Sequence, residues 1–229
     1  VWRSRRCMST SNLARSLLSL LAVQGLDEGD AFNAAPGERT SLTRDGEPLV
    51  TFILDGVAAR IGPNETLSRG LASSDDLINF DAVLGRGEKE VALWLTAGRF
   101  LTVPARRLVQ RIDRDTLVEA TLTDLRQRNA ALQAELGRHA ELKVTQRLAA
   151  LILDVHDQGG GDTVSLRQSD LADLMAVRRA SVSTACTELC AAGALRLRRG
   201  AIQIADVEAL RETAISPHST VTDLARLRG

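Results

Sequence analysis

The sequence predicts an α+β chain with a β-rich front, one long helix that pairs two copies, and a winged helix-turn-helix at the end. Three patterns carry the prediction. Glycines punctuate short apolar segments from Asp27 to about Ile112. Apolar residues then repeat in a heptad from Val118 to Leu136. Last, two short amphipathic stretches and an arginine-rich hairpin follow one another between Arg167 and Ile204. The expected divisions are 1–24, an N-terminal arm; 25–112, a β-roll; 113–138, a dimerisation helix; 139–214, the winged helix; and 215–229, a loosely attached tail.

At 229 residues the chain has room for one large or two ordinary domains. Its net charge is zero but unevenly spread. Asp27–Glu90 holds 13 acidic and 6 basic residues, a net of −7, whereas Arg178–Ile204 holds five arginines against Glu188, a net of +4. Most charge runs of this size are solvated surface, but this one is also the footprint that nucleic acid requires. No apolar run reaches the length of a membrane span, so no membrane partner is expected. The opening, VWRSRRCMSTSNLARSLLSLLAVQG, places arginines before LLSLLAV in the manner of a secretion signal. Ser16 and Ser19 interrupt that run, and an amphipathic helix from about Asn12 to Val23 is the better reading. Val1 in first place points to a non-Met start or a shortened chain, with Met8 as a candidate start. Three cysteines without framework spacing fit a reducing cytoplasm.

The glycine-punctuated front offers four candidate strands, Thr51–Leu54, Val57–Ile61, Val91–Leu95 and Phe100–Val103. Their spacing suggests an all-β sandwich or barrel. Pro104 should end the last strand, and Ala105–Ile112 should open a helix. In the next segment Val118, Leu122, Leu125, Asn129, Leu132 and Leu136 follow a heptad. Leu122, Asn129 and Leu136 fall at a, and Val118, Leu125 and Leu132 at d. A single Asn at an a position specifies a parallel two-stranded pairing. A helix packed on its own domain needs only one such stripe, but Asn129 inside a clean heptad favours a homodimer. Arg138–Val155 reads as a further helix and His156–Gly161 as a flexible loop. Its glycine triplet lacks the Gly-Lys-Ser/Thr of a phosphate loop.

Arg167–Leu189 reads as two short helices joined by a tight turn at Ala176-Val177. Leu171, Leu174 and Met175 give the first an apolar face; Val182, Ala185, Cys186 and Leu189 do so for the second. Opposite that second face lie Arg178, Arg179, Ser181, Ser183 and Thr184. Core on one side, with charge and hydrogen bonds on the other, is what entry into a major groove requires. An ordinary helical hairpin is commoner, but Ala191-Ala192-Gly193 and then LRLRRGAIQI follow. Leu195, Leu197, Ile202 and Ile204 alternate as in a half-buried strand pair, with Arg199-Gly200 at its turn. Arg196, Arg198 and Arg199 would project from that wing.

SDLADLMAVRRASVSTACTEL and GALRLRRGAIQIADVEAL resemble the helix-turn-helix, wing and closing helix of the Crp-Fnr family of bacterial transcription regulators. Three positions depart from the family pattern. Ala176 replaces the turn glycine, Ala180 the glutamate after the first recognition-helix arginine, and Thr184 the arginine one turn later. Arg179 remains. DGEPLVTFILDGVAARI resembles the early hairpin of the family's cyclic-nucleotide-binding-like β jelly roll. DLINFDAVLG and VALWLTAGRFLTVPARRL resemble its later strands, and Arg114–Leu136 its dimerisation helix.

The resemblance implies a homodimeric, cytoplasmic regulator bound to double-stranded DNA at a roughly palindromic site, with RNA polymerase as a further partner. Arg179 is then the candidate for bidentate contact to guanine. Ser181, Ser183 and Thr184 reach bases or phosphates, while Gln168, Ser169, Arg196, Arg198 and Arg199 hold the backbone. The family's cyclic-nucleotide cassette corresponds here to Asn79-Phe80-Asp81 and Glu88-Lys89-Glu90-Val91. Carboxylates crowd the phosphate's place and no arginine matches, so cyclic AMP is not expected. Haem and Fe–S clusters need His or Cys ligands, and Met8–Arg138 contains neither. No cofactor is expected.

No enzyme is expected either. Cys186 and Cys190 lack further ligands at metal-site spacing, and buried thiols acting as small hydrophobes are the commoner case. His139, His156 and His218 belong to no nucleophile–base pattern, and His139 beside the hinge reads as a surface or interdomain residue. Two other readings stay open: a protein-interaction module whose winged helix no longer reads DNA, motivated by Ala180 and Thr184, and a small-molecule carrier using the roll.

Overall fold

The computed structural model describes residues 14, 17–19, 31–62, 67–85 and 90–214. The chain divides into two compact units, Val1–Leu132 and Gln133–Gly229, so the division falls inside the long helix. Most of the expected Asn12–Val23 helix and all of the expected 215–229 tail lie outside the described residues; positions 14 and 17–19 are helical.

The first unit is a roll of short strands. In chain order they are β1 (Phe32–Ala34), β2 (Arg39–Ser41), β3 (Thr43–Arg44), β4 (Glu47–Asp55), β5 (Ala58–Ile61), β6 (Ser68–Ala72), β7 (Leu77–Ile78), β8 (Val91–Trp94) and β9 (Gly98–Pro104). One sheet runs β1-β9-β4-β3, with β7 also paired to β4; the other runs β2-β8-β5-β6. The pairings are antiparallel.

β4 organises the roll because both its faces are buried, which is why it reads as an unbroken apolar run. Val50 and Phe52 join Phe80, Leu101, Val103, Leu108, Ile112 and Leu117 in one core. Ile53 joins Ala58, Ile78, Trp94 and Phe100 in another. Gly98 permits the second core: a Cβ there would run into the Trp94 ring.

Two expectations for the roll need correction. Glu47–Asp55 and Ala58–Ile61 are not partners in a hairpin. The chain crosses from one sheet to the other at Gly56 (φ +86°), where a side chain would meet the Ala97 carbonyl. The hairpin of that stretch is β3–β4, turned at Asp45-Gly46, both with positive φ. Phe80–Leu84 is a 3₁₀ helix and not a strand, bounded by left-handed Asn79 and Gly85.

α1 (Ala105–Arg111) follows Pro104, as expected. α2 (Arg114–Glu141) then buries Leu117, Ala120, Thr121 and Asp124 on one face. The heptad residues lie on another. Val118 is 37%, Leu122 47%, Leu125 41%, Leu132 40% and Leu136 69% exposed, and Asn129 is exposed with them.

In the second unit the expected Arg138–Val155 helix is broken. α2 runs on to Glu141, and α3 (Val144–Val155) starts after Lys143, whose extended backbone N–H is capped by the Gln146 side chain at 3.0 Å. His156 carries α3 on into a wide turn that breaks at Gly159 (φ +89°), where the expected loop begins. β10 (Thr163–Val164), α4 (Gln168–Leu174), α5 (Arg179–Ala191), β11 (Leu195–Arg198), β12 (Ala201–Ile204) and α6 (Val207–Ala214) follow. The small sheet is β10-β12-β11. β10, a two-residue strand, has no alternation to reveal it in sequence. No described helix is long and apolar enough to cross a membrane.

Candidate nucleic-acid interface

α5 separates its faces as its periodicity requires. Val182, Ala185, Cys186 and Leu189 are at most 1% exposed and form the inner face. Burial pushes the Cys186 thiol up to about 11, so at neutral pH it stays protonated and acts as a small apolar group. On the other side Arg178, Arg179, Ser183 and Thr184 are exposed and Ser181 is half-buried. Arg178 is the residue before the helix, with extended backbone. The first turn holds no acidic residue, so two guanidiniums add to the positive end of the helix uncompensated. Thr184 donates its hydroxyl to the Ala180 carbonyl at 3.1 Å. What it offers outward is therefore an acceptor and a methyl group.

The turn ahead of α5 is tight. Ala176 has φ +51°, the left-handed region that a Cβ disfavours. Its N–H donates to Asp173 O at 3.2 Å, and that of Val177 to Ala172 O at 2.9 Å. Ala172 is buried, which brings the two backbones together here. At the far end Gly193 (φ +77°) stops α5, and the Ala194 N–H caps Leu189 O at 3.0 Å.

The wing is a two-residue hairpin closed at Arg199-Gly200, pairing Leu195 with Ile204 and Leu197 with Ile202. Leu195, Ile202 and Ile204 are buried as their alternation predicts. Leu197 is not: it is 46% exposed. It lines a cleft of about 240 Å³ together with Gln168 at the start of α4, Arg179 at the start of α5, and Arg198 and Gly200 on the wing. Arg167 lines it too.

The structure thus brings Gln168, Arg179 and Arg198 to one cleft. Arg196 and Arg199 are exposed on the wing outside it, and Ser169 is half-buried on α4 beside Asp170. Arg198 also reaches Gln203, Nε to Oε1, at 3.3 Å. Arg167 and Leu197 are the residues that sequence reasoning missed. Arg167 stands one place before the helix and is hidden by its position as a cap, while Leu197 looks like core because it alternates with core. Three guanidiniums around an apolar floor suit a polyanion with apolar edges.

Residues 146–213 match a protein family described as the Crp-like helix-turn-helix domain. The fold as a whole is similar to that of a CRP/FNR family transcriptional regulator from Thermus thermophilus, with TM-score 0.63 and 20% identity, over 80% of this chain and 97% of that one. The chain has the fold of CRP/FNR family regulators, and its residues 146–213 carry the Crp-like helix-turn-helix. It is also similar in fold to the c-di-GMP responsive global regulator CLP of Xanthomonas campestris, with TM-score 0.59 and 16% identity over 84% and 99% of the two chains. FixK2 from Bradyrhizobium japonicum gives TM-score 0.58 and 16% identity over 81% and 97%. No curated protein matches the sequence. α4, α5 and the wing all lie within the residues matched to the Crp-like helix-turn-helix domain.

Part of the stretch that resembles the family's cyclic-nucleotide cassette enters an internal charge cluster. Residues 86–89 lie outside the described ones, but Asn79, Asp81 and Glu90 do not. Arg128 of α2 spends its whole guanidinium on carboxylates: Nη2 to Asp81 Oδ1 at 3.0 Å, Nη1 to Glu90 Oε1 at 2.9 Å and Nε to Asp124 Oδ2 at 2.9 Å. Burial works against that charge, but Asp124, Glu90 and Asp81 outweigh it and drive the guanidinium further up. Glu90 accepts the Asn79 N–H at 3.1 Å with its other oxygen, and Asn79 Nδ2 donates to Leu49 O at 2.9 Å. The carboxylates expected to repel a phosphate are therefore turned onto a cation of the chain itself. The Asp124–Arg128 spacing was visible in sequence; contacts to partners 38 and 47 residues away were not. Among the described residues, no three His, Cys, Asp or Glu are grouped to hold a metal ion.

Proposed function

We propose that the chain acts as a cytoplasmic homodimer that reads a roughly palindromic DNA site, with α5 in successive major grooves and the wing on the backbone. The observation that carries the proposal is the position of Arg179 at the start of α5, exposed and sharing one cleft with Arg198 of the wing. The N-terminal end of a recognition helix usually meets base edges, and a β-hairpin beside it meets phosphates. The exposed heptad of α2 supports pairing, because a row of leucines with one asparagine stays exposed among the described residues. Half-sites then fall about one helical turn apart on one duplex face. The roll works without cyclic nucleotide: a phosphate would have to displace Arg128 from three carboxylates and then face them.

The test separates base reading from backbone holding. Sequencing of genomic fragments retained by the purified protein supplies the cognate duplex. A bidentate arginine–guanine pair is worth about 1–3 kcal/mol of discrimination. Arg179→Ala is therefore expected to weaken cognate binding and relax preference at one base pair per half-site. Arg198→Ala or Arg199→Ala is expected to weaken cognate and scrambled duplexes equally and to lower the salt slope by about one unit per contact. Equal weakening of both duplexes by Arg179→Ala would make Arg179 a phosphate contact and move specificity to Ser181, Ser183 or Thr184. Retention of no fragment would favour a protein-interaction role for the winged helix.

A further inference from the structure

We propose that His139 is a proton-controlled brace on the turn ahead of the recognition helix, acting through Arg147 as the positioning residue. Arg147 Nη2 lies 2.8 Å from His139 Nε2 at the end of α2 and 2.5 Å from the carbonyl oxygen of Met175. A guanidinium only donates. Nε2 must therefore accept, which makes the ring neutral with its proton on Nδ1. The carbonyl that Arg147 holds belongs to the residue just before Ala176, whose left-handed backbone persists only while its surroundings fix it. Two residues earlier on α3, Thr145 donates to Glu188 of α5 at 2.6 Å. The first turn of α3 thus holds both the turn and the helix it aims.

The ring has a second partner waiting. Glu135 Oε1 is 3.4 Å from the same Nε2. When the ring takes a proton, Nε2 becomes a donor. It can no longer accept from Arg147, its charge repels the guanidinium, and Glu135 is the acceptor at hand. His139 then exchanges a bond to α3 for one along α2, and the hold on Met175 loosens. The charged groups facing the ring are Glu135 and Arg138 from α2 and Arg147 from α3. Asp154 acts only through Arg138, which it holds at 2.8 Å while Glu135 holds it at 2.6 Å.

Burial first, and then Arg147, holds the His139 ring below the ordinary histidine value of 6.5, against the pull of Glu135. The sign follows from linkage. Below 6.5 the unfolded chain takes up this proton before the folded chain does. The brace is complete above that value and is lost as pH falls through the lowered folded one.

The experiment is a titration of the isotope-labelled full chain by nuclear magnetic resonance, from about pH 7.5 to about pH 5, where histidine changes charge. The Ala176 and Val177 amides are expected to titrate with the His139 ring, at a midpoint under 6.5. In His139→Gln, which keeps an uncharged acceptor, the same amides should stay flat at their high-pH positions. In Arg147→Ala the ring midpoint should rise and the turn amides should lose its titration. Amides that ignore the ring, or that still titrate in His139→Gln, overturn the brace. A second arm rests on the DNA reading above. Across the same range the wild type should lose roughly tenfold in duplex affinity relative to His139→Gln, the worth of about one charge-assisted hydrogen bond. Equal loss in both proteins overturns the brace. A wild type that binds no duplex while its turn amides follow the ring supports the brace and counts against the DNA reading alone.

Discussion

At the scale of single residues, Ala176 holds an alanine on a backbone that favours glycine. The turn demands a left-handed backbone, and a Cβ in that region costs on the order of 1–2 kcal/mol. Glycine relieves this at an entropic cost of about 0.5–1 kcal/mol. Ala176→Gly is therefore expected to raise the melting temperature by about 1–3 °C for a chain of this size. A lower melting temperature, read by calorimetry on the full chain, would show that the turn relaxes without strain. The tight turn at Ala176-Val177 was legible from the apolar spacing on either side of it, whereas the glycine usual at Ala176 was implied only by the resemblance to the Crp-Fnr family. Arg147 was not legible. It sits in an ordinary amphipathic helix, and its partners His139 and Met175 O lie 8 and 28 residues away. Cys186 was readable as core from its place on the apolar face, and its raised thiol value agrees.

At the scale of elements, α2 carries two jobs on two faces. One face buries Leu117, Ala120, Thr121 and Asp124; another exposes the heptad. Leu132→Asp puts a charge into the seam and should give monomers with weak DNA binding. Asn129→Leu should keep or raise stability while loosening the choice of oligomer. Sedimentation of both variants is the measurement, and a Leu132→Asp protein that stays dimeric would move the interface elsewhere. Periodic elements such as α2, α5 and the wing were legible because each repeats its pattern over several turns or alternations, and β4 because its apolar run is long. The two- and three-residue strands β1, β3, β7 and β10 were not, since so few residues show no period. Chain neighbours were also misleading: β4 and β5 adjoin in sequence but lie in different sheets.

At the scale of the molecule, the neutral total charge resolves into an acidic front and a basic end with separate uses. The arginines of the end stay exposed around α5 and the wing. In the front, Asp81 and Glu90 are instead turned, together with Asp124 of α2, onto Arg128, which pairs with all three. Calorimetry with cyclic AMP should accordingly give no binding in the micromolar range, and a micromolar heat would show that Arg128 yields its carboxylates to the ligand. In the proposed function two copies read DNA together, each through its own α5. Selection of bound sequences from a random duplex pool by the intact protein tests it most directly. Enrichment of two inverted half-sites about one helical turn apart, each with a position that prefers guanine, is expected. Enrichment of a single unrepeated half-site, or of no sequence at all, would contradict it.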